Sequence, residues 1–465
     1  MKVIDITKTK DIAESIKILK GSKKPVDVAE LKKQYNVADH KIFDPTLRPD
    51  KIIKNDDESK TERVEKVNRI GLAIQKRIVK SAVSFSFGNP VNLQCQPNDD
   101  AEKKVLSALK RILYDNKIDS FNRKVGKDLF RATEVAEIWF ATPTTESHDD
   151  YGFTTKVKVR TLKVSPWSGD ELFPKFDETG NMICFSRGYQ RIEGTETIEH
   201  FDVYTDEEVV QYKKEKGGWL LPVTFPNMIG KIPVAYAIDE QADWEDVQKA
   251  IERLEILLSN YSDTNDYFAS PIIFIQGDIT GFAKKGETGK IIQGELNSTA
   301  QYLSWQHAPE SVKLEIETLF KIIYSLTQTP DISFENVKDL NQISGVALEM
   351  LFMDAHLKVQ EKREVLDEYL QRRLNIVKAF IGKLSSSLAN ASNSIEIKAE
   401  IVPYIINDLS TLIENLVNAN GGKSILSQKT SVDRLGIVAN SEEEYKQIQE
   451  EEKAALAEQI GATVL

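Results

Sequence analysis

No apolar run in this 465-residue chain approaches the ~20 residues that span a bilayer. The opening MKVIDITKTKDIAES also lacks the apolar centre of a secretory signal. A cytosolic origin without membrane contact is expected. Cysteine is nearly missing: Cys95 and Cys184 stand far apart with no CxxC spacing, which leaves neither a disulfide framework nor a thiolate metal site. The five histidines, His40, His148, His200, His307 and His356, fall in no HExxH or HxH pattern. The acid pairs Asp56–Asp57 and Asp149–Asp150 lie in turn-like stretches, a poor setting for a metal nuclease. No GxSxG occurs. The segment NANGGKS, ending at Ser424, has Val417 where the first glycine of GxxxxGK[ST] is required, so it reads as a glycine helix stop. Neither catalysis nor a cofactor or metal is expected.

Positive charge is short by eleven, and a net −11 argues against phosphate-neutralising contact over the whole surface. It does not exclude a protein through which a duplex slides, because an acidic wall repels DNA where tight phosphate contacts would brake it. The distribution is uneven. Residues 239–270 hold nine acids and two bases, whereas residues 101–131 hold nine bases and four acids. Solvated helix surface is the plain reading of both.

The length suggests two to four subdomains. Residues 1–60 are polar and end in KNDDESK, the composition of an exposed arm. A helix is expected from Thr61, with Val67, Ile70, Ile74 and Ile78 on one face and a stop before Gly88, Asn89 and Pro90. A second helical region is expected over 101–137, interrupted near 116–120. Residues 138–238 turn β-rich: KVKVRTLKV alternates, HFDVYTDEEVVQYK and GGWLLPVTF read as strands, and GG, ETG and FPN mark turns.

The region 239–381 is the most informative. Trp244, Val247, Ile251, Leu254, Leu258 and Tyr261 form one helical seam, with Asp239 and Glu240 placed for its N-terminus. Val312, Ile316, Leu319, Ile323 and Leu326 form another, opened by Pro309 and stopped by Pro330. Between them lie the strand-like runs PIIFIQG, KIIQGEL and AQYLSW. A loop at 331–343 precedes a helix that Ser344 can cap, and no Gly or Pro interrupts residues 346–381. The middle of that helix, 354–364, is polar, which suggests a kink or a polar contact between subunits. His356 there reads as a surface or interface residue. After Ile381 come a Ser/Asn linker, the strand-like IEIKAEIVPYII, and helices from Asp408 and Ser441.

Paired helices around a β insert, a loop before SGVAL, and a long charged helix together resemble the core of the portal proteins of long-tailed bacteriophages. SFSFGNPV at 84–91 is similar to the wing segment of that family, and GKIPVAYAIDE at 230–240 to its lead into the stem. The resemblance covers most of 61–384. It implies a mixed α/β, mainly α portal fold with a long kinked helix after the stem. The implied regions are an arm (1–60), a wing (61–238), a first stem helix (239–270), a clip (271–308), a second stem helix (309–329), a channel loop (330–344), a long wing helix (345–384) and a crown with C-terminal helices (385–465).

It further implies a ring of about twelve copies closed by a heterologous interface, seated at the capsid vertex of the virion after assembly in the host cytoplasm. Implied partners are double-stranded DNA passing through the channel, the terminase large subunit, a head-completion or adaptor protein, and a major capsid or scaffolding protein. The loop would bring Ser333, Glu335, Asn336, Lys338, Asp339 and Asn341 near the duplex. Opposite the first seam lie Glu245, Lys249, Glu252, Asn260 and Asp263, candidates for the channel wall or a subunit contact. The readings that compete are a metal-dependent DNA-processing enzyme and a coiled-coil scaffold that handles no DNA.

Overall fold

Helix caps and strand alternation set most of the elements. The computed structural model describes residues 12–21, 23–53, 63–268, 272–277, 279–281, 293–294, 298–303, 308–331, 350, 352–404, 409–421, 424–436, 438 and 441–463. It divides into two compact units, Met1–Asp331 with Asp354–Tyr404, and Ile332–Met353 with Ile405–Leu465.

In the first unit, helices α1 (Ile12–Lys20) and α2 (Val28–Tyr35) are followed by the short antiparallel pair β1 (Lys51–Ile53) and β2 (Arg63–Glu65). Asp27 caps α2 by accepting from the amides of Ala29 and Glu30. Then come α3 (Ile74–Phe87), β3 (Asn92–Gln94), α4 (Asp100–Asp115) and α5 (Ile118–Ala132). Asp99 accepts from the Glu102 amide at 2.7 Å while the Glu102 carboxylate accepts from the Asn98 amide at 2.7 Å, a reciprocal cap on α4. Gly126 allows α5 to approach α3: a Cβ there would lie 2.8 Å from the Phe87 ring.

The helix expected from Thr61 starts only at Ile74. Residues 66–73 are neither helix nor strand, and the amides of Asn68, Ile70 and Leu72 donate to Asp263, Ser259 and Glu255. Side-chain acceptors satisfy donors that a helix would have turned inward. The β region likewise begins earlier than residue 138. Thr133 takes a left-handed conformation (φ 63°) that ends α5, and the strand starts at once.

Nine strands follow: β4 (Glu134–His148), β5 (Thr155–Val164), β6 (Glu171–Phe176), β7 (Met182–Glu193), β8 (Glu196–Tyr204), β9 (Glu208–Glu215), β10 (Gly218–Trp219), β11 (Val223–Pro226) and β12 (Val234–Ile238). They make a three-stranded sheet, β12-β4-β5, and a six-stranded antiparallel sheet, β10-β9-β8-β7-β6 with β11 also on β9. One face of the larger sheet presents Phe173, Cys184, Phe201, Val203, Val210 and Tyr212, and α1 covers it with Ile16 and Leu19. The other face puts Phe185 and Tyr204 against Ala136, Ile138, Val164 and Val234 of the smaller sheet. Residues 12–20, expected in an exposed arm, are therefore part of a core.

Next come α6 (Gln248–Phe268), β13 (Ile272–Gln276), β14 (Ile279–Gly281), β15 (Gln293–Gly294), β16 (Thr299–Leu303), α7 (Ala308–Leu326) and α8 (Met353–Leu384). Strand β13 pairs antiparallel with β16, and β14 with β15. Residues 386–394, expected as a linker, form a 3-10 turn and α9 (Ala389–Ser394); β17 (Lys398–Glu400) pairs with β3.

The second unit contains α10 (Leu409–Asn420), α11 (Gln428–Leu435) and α12 (Ser441–Thr463). Helix α11 was not anticipated; Ser427 caps it by accepting from the Thr430 amide. Lys429 pairs with Glu442, and Ser441 donates to Asp433, so α11 and α12 are tied together. Cys184 is buried and Cys95 half-buried, both as free thiols held above their ordinary pKa by burial.

Candidate channel and assembly surfaces

The first seam forms as the spacing predicts over most of its length: Trp244, Val247, Ile251 and Leu254 are buried. The helix itself begins at Gln248, after a 3-10 turn at Glu245–Val247, rather than at Asp239. Residues 239–243 are held by other elements instead. The Asp239 amide donates to the Thr133 carbonyl at 2.7 Å and the Asp243 amide to the Phe130 carbonyl at 3.0 Å. Their carboxylates meet α8: Lys362 lies 2.5 Å from Asp239 and 2.9 Å from Asp243, and Lys358 lies 3.0 Å from Asp243. The polar stretch of the long helix thus makes ion pairs within its own chain, and α8 runs on through it as a helix. Burial works to lower the Lys362 pKa, but Asp243 and Asp239 outweigh it and hold the ammonium form well above its ordinary range. Lys358 also donates to the Thr327 carbonyl at 3.0 Å, fastening the end of α7 to α8.

The second seam is less complete. Ile323 is fully buried and Val312, Ile316 and Leu319 are half-buried, but Leu326 is 65% exposed, as is Leu314 outside the seam. Arg253 of α6 pairs with Glu315 of α7 at 2.8 Å. Gln328, with φ 50°, turns the chain after α7 ahead of Pro330.

The polar side of α6 is largely occupied by residues 40–48 and 68–72. His40 Nδ1 lies 2.6 Å from Glu255 Oε1, and its Nε2 lies 2.8 Å from the Gln34 carbonyl oxygen. Lys41 donates to Glu252 at 2.9 Å. Arg48 donates to Asn260 at 2.7 Å and to Asp263 at 2.6 Å, and Asn68 donates through its side chain to Asp266 at 2.6 Å. Partial burial works to raise the Glu252 pKa, but hydrogen bonds from Lys41, Gln248 and Lys249 hold the carboxyl below its ordinary value. Of the five polar-face candidates, Glu252, Asn260 and Asp263 therefore have partners from this N-terminal strap. Glu245 is exposed and accepts from the Ala242 amide, and Lys249 is exposed beside Glu252. The strap went unread in the sequence because its charges look like ordinary loop composition. Ser333, Glu335, Asn336, Lys338, Asp339 and Asn341 lie outside the described residues, as do Ser344 and His307.

The strongest buried polar site was also not legible. Arg373 of α8 forms a two-pronged pair with Glu137 of β4, with Nε 2.8 Å from Oε1 and Nη2 2.7 Å from Oε2, and donates to Asn122 of α5 at 2.6 Å. Tyr369 and Trp139 add donors to the same carboxylate at 2.8 and 2.9 Å. Every member is buried. Burial works against the Arg373 charge, but Glu137 outweighs it and raises the pKa; burial and Glu137 together push the Tyr369 hydroxyl well up. The arrangement locks α5, β4 and α8 and leaves no lone pair for a substrate. Half-buried His356 packs edge-on near Phe85. Among the described residues no group of three His, Cys, Asp or Glu is placed to hold a metal, and no helix is long and apolar enough to cross a membrane.

A helix pair, α6 and α7, brackets the short strands β13–β16 in the chain. The matching family is "Phage portal protein, SPP1 Gp6-like", and the match spans residues 23–457 of 465. The chain belongs to this family of phage portal proteins. That family is structural, so the chain is a virion connector component and not an enzyme. No curated protein sequence matches it. Among solved structures it is similar to a chain of "Neck of empty GTA particle computed with C6 symmetry" (12% identity, 79% of this chain and 91% of that chain, TM-score 0.44). Another is from "Neck of native GTA particle computed with C12 symmetry" (11%, 79% and 90%, TM-score 0.41). The family assignment rests on the sequence match.

Proposed function

We propose that the chain is the subunit of a closed portal ring, of about twelve copies, at the capsid vertex, through which double-stranded DNA is packaged and ejected. The family match over residues 23–457 carries this reading. Within it, 61–238 and 345–384 serve as the wing, α6 and α7 as the stem, 271–308 as the clip, and 385–465 as the crown with C-terminal helices. Residues 330–344 form the loop that meets DNA, and the clip faces the terminase large subunit and then the head-completion or adaptor protein. The major capsid or scaffolding protein meets the outer rim. Exposed Leu314, Ile322 and Leu326 on α7 give the stem an apolar side for the neighbouring copy.

Negative-stain imaging of the purified protein tests the reading. Closed rings with a central hole are expected. A stable monomer that cuts plasmid with added divalent metal would establish the enzyme reading instead, and open coiled-coil assemblies would establish the scaffold.

A further inference from the structure

Six cations converge on one surface of a chain whose net charge is −11. Tyr35 of α2 and Trp167 pack edge-to-face with ring centroids 5.3 Å apart. Around them stand the Arg131 guanidinium, 4.0 Å from the Trp167 centroid and 5.6 Å from that of Tyr35, the Lys76 ammonium 5.7 Å from Tyr35, and the Lys32 ammonium 5.6 Å from Trp167. Lys127, one turn before Arg131 on α5, feels both Lys80 and Lys76 of α3. Lys163 of β5 reaches the same cluster through Asp128. Asp128 is the acid there, and it is consumed: it is buried and accepts from Lys163, Arg131 and Ser165. Among the described residues Lys32, Lys76, Lys80 and Lys127 have no carboxylate within ion-pair distance, and Lys32, Lys80 and Lys127 are exposed.

Partial burial, then repulsion from Arg131 and more weakly from Lys80 and Lys76, outweighs the attraction of Asp128 and lowers the Lys127 pKa below the ordinary lysine value. An uncompensated positive potential of this kind attracts anions.

We propose that Lys32, Lys76, Lys80 and Lys127, arrayed around the Tyr35–Trp167 pair, form a binding site for the phosphate backbone of double-stranded DNA. Three features select that ligand. Lysines are mobile point charges suited to successive phosphates rather than to planar recognition. Tyr35 is buried and the half-buried Trp167 ring lies against Arg131, a poor platform for stacking successive unpaired bases. The cores of protein interfaces are depleted in lysine, and this patch offers lysines where an acidic protein partner would also need apolar anchors. The proposed site uses no residue of the loop at 330–344 or of α6, so it does not depend on how those elements meet the channel.

The test measures binding of the assembled full-length protein to a labelled 20-base-pair duplex, about two helical turns, by fluorescence anisotropy at several salt concentrations. Wild type is compared with the Lys76→Gln, Lys80→Gln, Lys127→Gln variant, and with Lys80→Gln, Lys127→Gln, whose two exposed sites leave the fold undisturbed. The expected result is weaker binding, with the slope of log affinity against log salt shallower by roughly 2 to 3 for the triple variant and about 2 for the double. Unchanged affinity and slope in the double variant would overturn the proposal. So would failure of wild type to bind the duplex, or capture of poly-glutamate in preference to it, which would assign the patch to an acidic protein.

Discussion

Arg373 shows how a single buried charge becomes a structural requirement. Its guanidinium satisfies both oxygens of Glu137 and one of Asn122, so truncating it strands a carboxylate in the interior. Arg373→Ala is expected to cost about 3–5 kcal/mol in denaturant unfolding. Arg373→Lys should recover little, because a single ammonium cannot span both oxygens. Tyr369→Phe removes one of several donors and should cost only about 1 kcal/mol. Asp128 supplies a second test. Burial works to raise its pKa, but Lys163, Ser165 and Arg131 hold it below the ordinary aspartate value. A depressed carboxylate contributes stability that is present above its unfolded pKa, near 4, and is lost as pH falls through the folded value. The acid limb of a stability–pH profile should therefore flatten in Asp128→Asn. An unaltered limb would mean that Asp128 is not held ionised by the fold.

At the scale of elements, helices with a sustained apolar period were the most legible, and segments held by side-chain partners were the least. Helix α6 follows its seam over most of its length and α7 less completely, and the stop at Gly88–Pro90 ends α3 where expected, while α7 ends at Leu326, ahead of Pro330. The strap defeated the same reasoning. Val67, Ile70, Ile74 and Ile78 keep a helical period, yet residues 66–73 stay out of the helix because Asp263, Ser259 and Glu255 accept the amides of Asn68, Ile70 and Leu72. Removing the acceptors should release the segment: in Glu255→Ala with Asp263→Ala, hydrogen exchange at Asn68 and Leu72 should accelerate while α4 stays protected. No change there would mean that apolar packing, not these carboxylates, holds the strap. The strap also alters how an acidic channel wall is tested. Reversing Glu252 would break the Lys41 pair, so a loss of function would not be specific to DNA; Glu245→Lys changes an exposed acid and is the cleaner probe. If α6 lines the channel, rings of that variant should retain DNA at low salt, and equal retention would remove Glu245 from the wall.

For the whole molecule, family membership was legible because it is carried by long elements and their order, which a period of three to four residues records. The polar sites were not, because Glu137 and Arg373, or Asp243 and Lys362, lie far apart in sequence and each reads alone as surface charge. Leu314, Ile322 and Leu326 leave apolar area on α7 that the first unit does not bury, while Ile323, opposite Leu314 on the helix, is fully enclosed. A heterologous contact that closes a ring repeats once per subunit, so a modest penalty at one contact is multiplied around the circle. Burying a leucine is worth about 1.5–3 kcal/mol, and replacing it with glutamate substitutes a desolvation cost. Leu314→Glu with Leu326→Glu should leave the circular dichroism of the subunit unchanged, since neither side chain belongs to its core. Sedimentation should then shift from rings to monomers at micromolar protein. Rings of undiminished stability would place the subunit contact on another face, and the exposed side of α7 would have to meet the channel or the solvent.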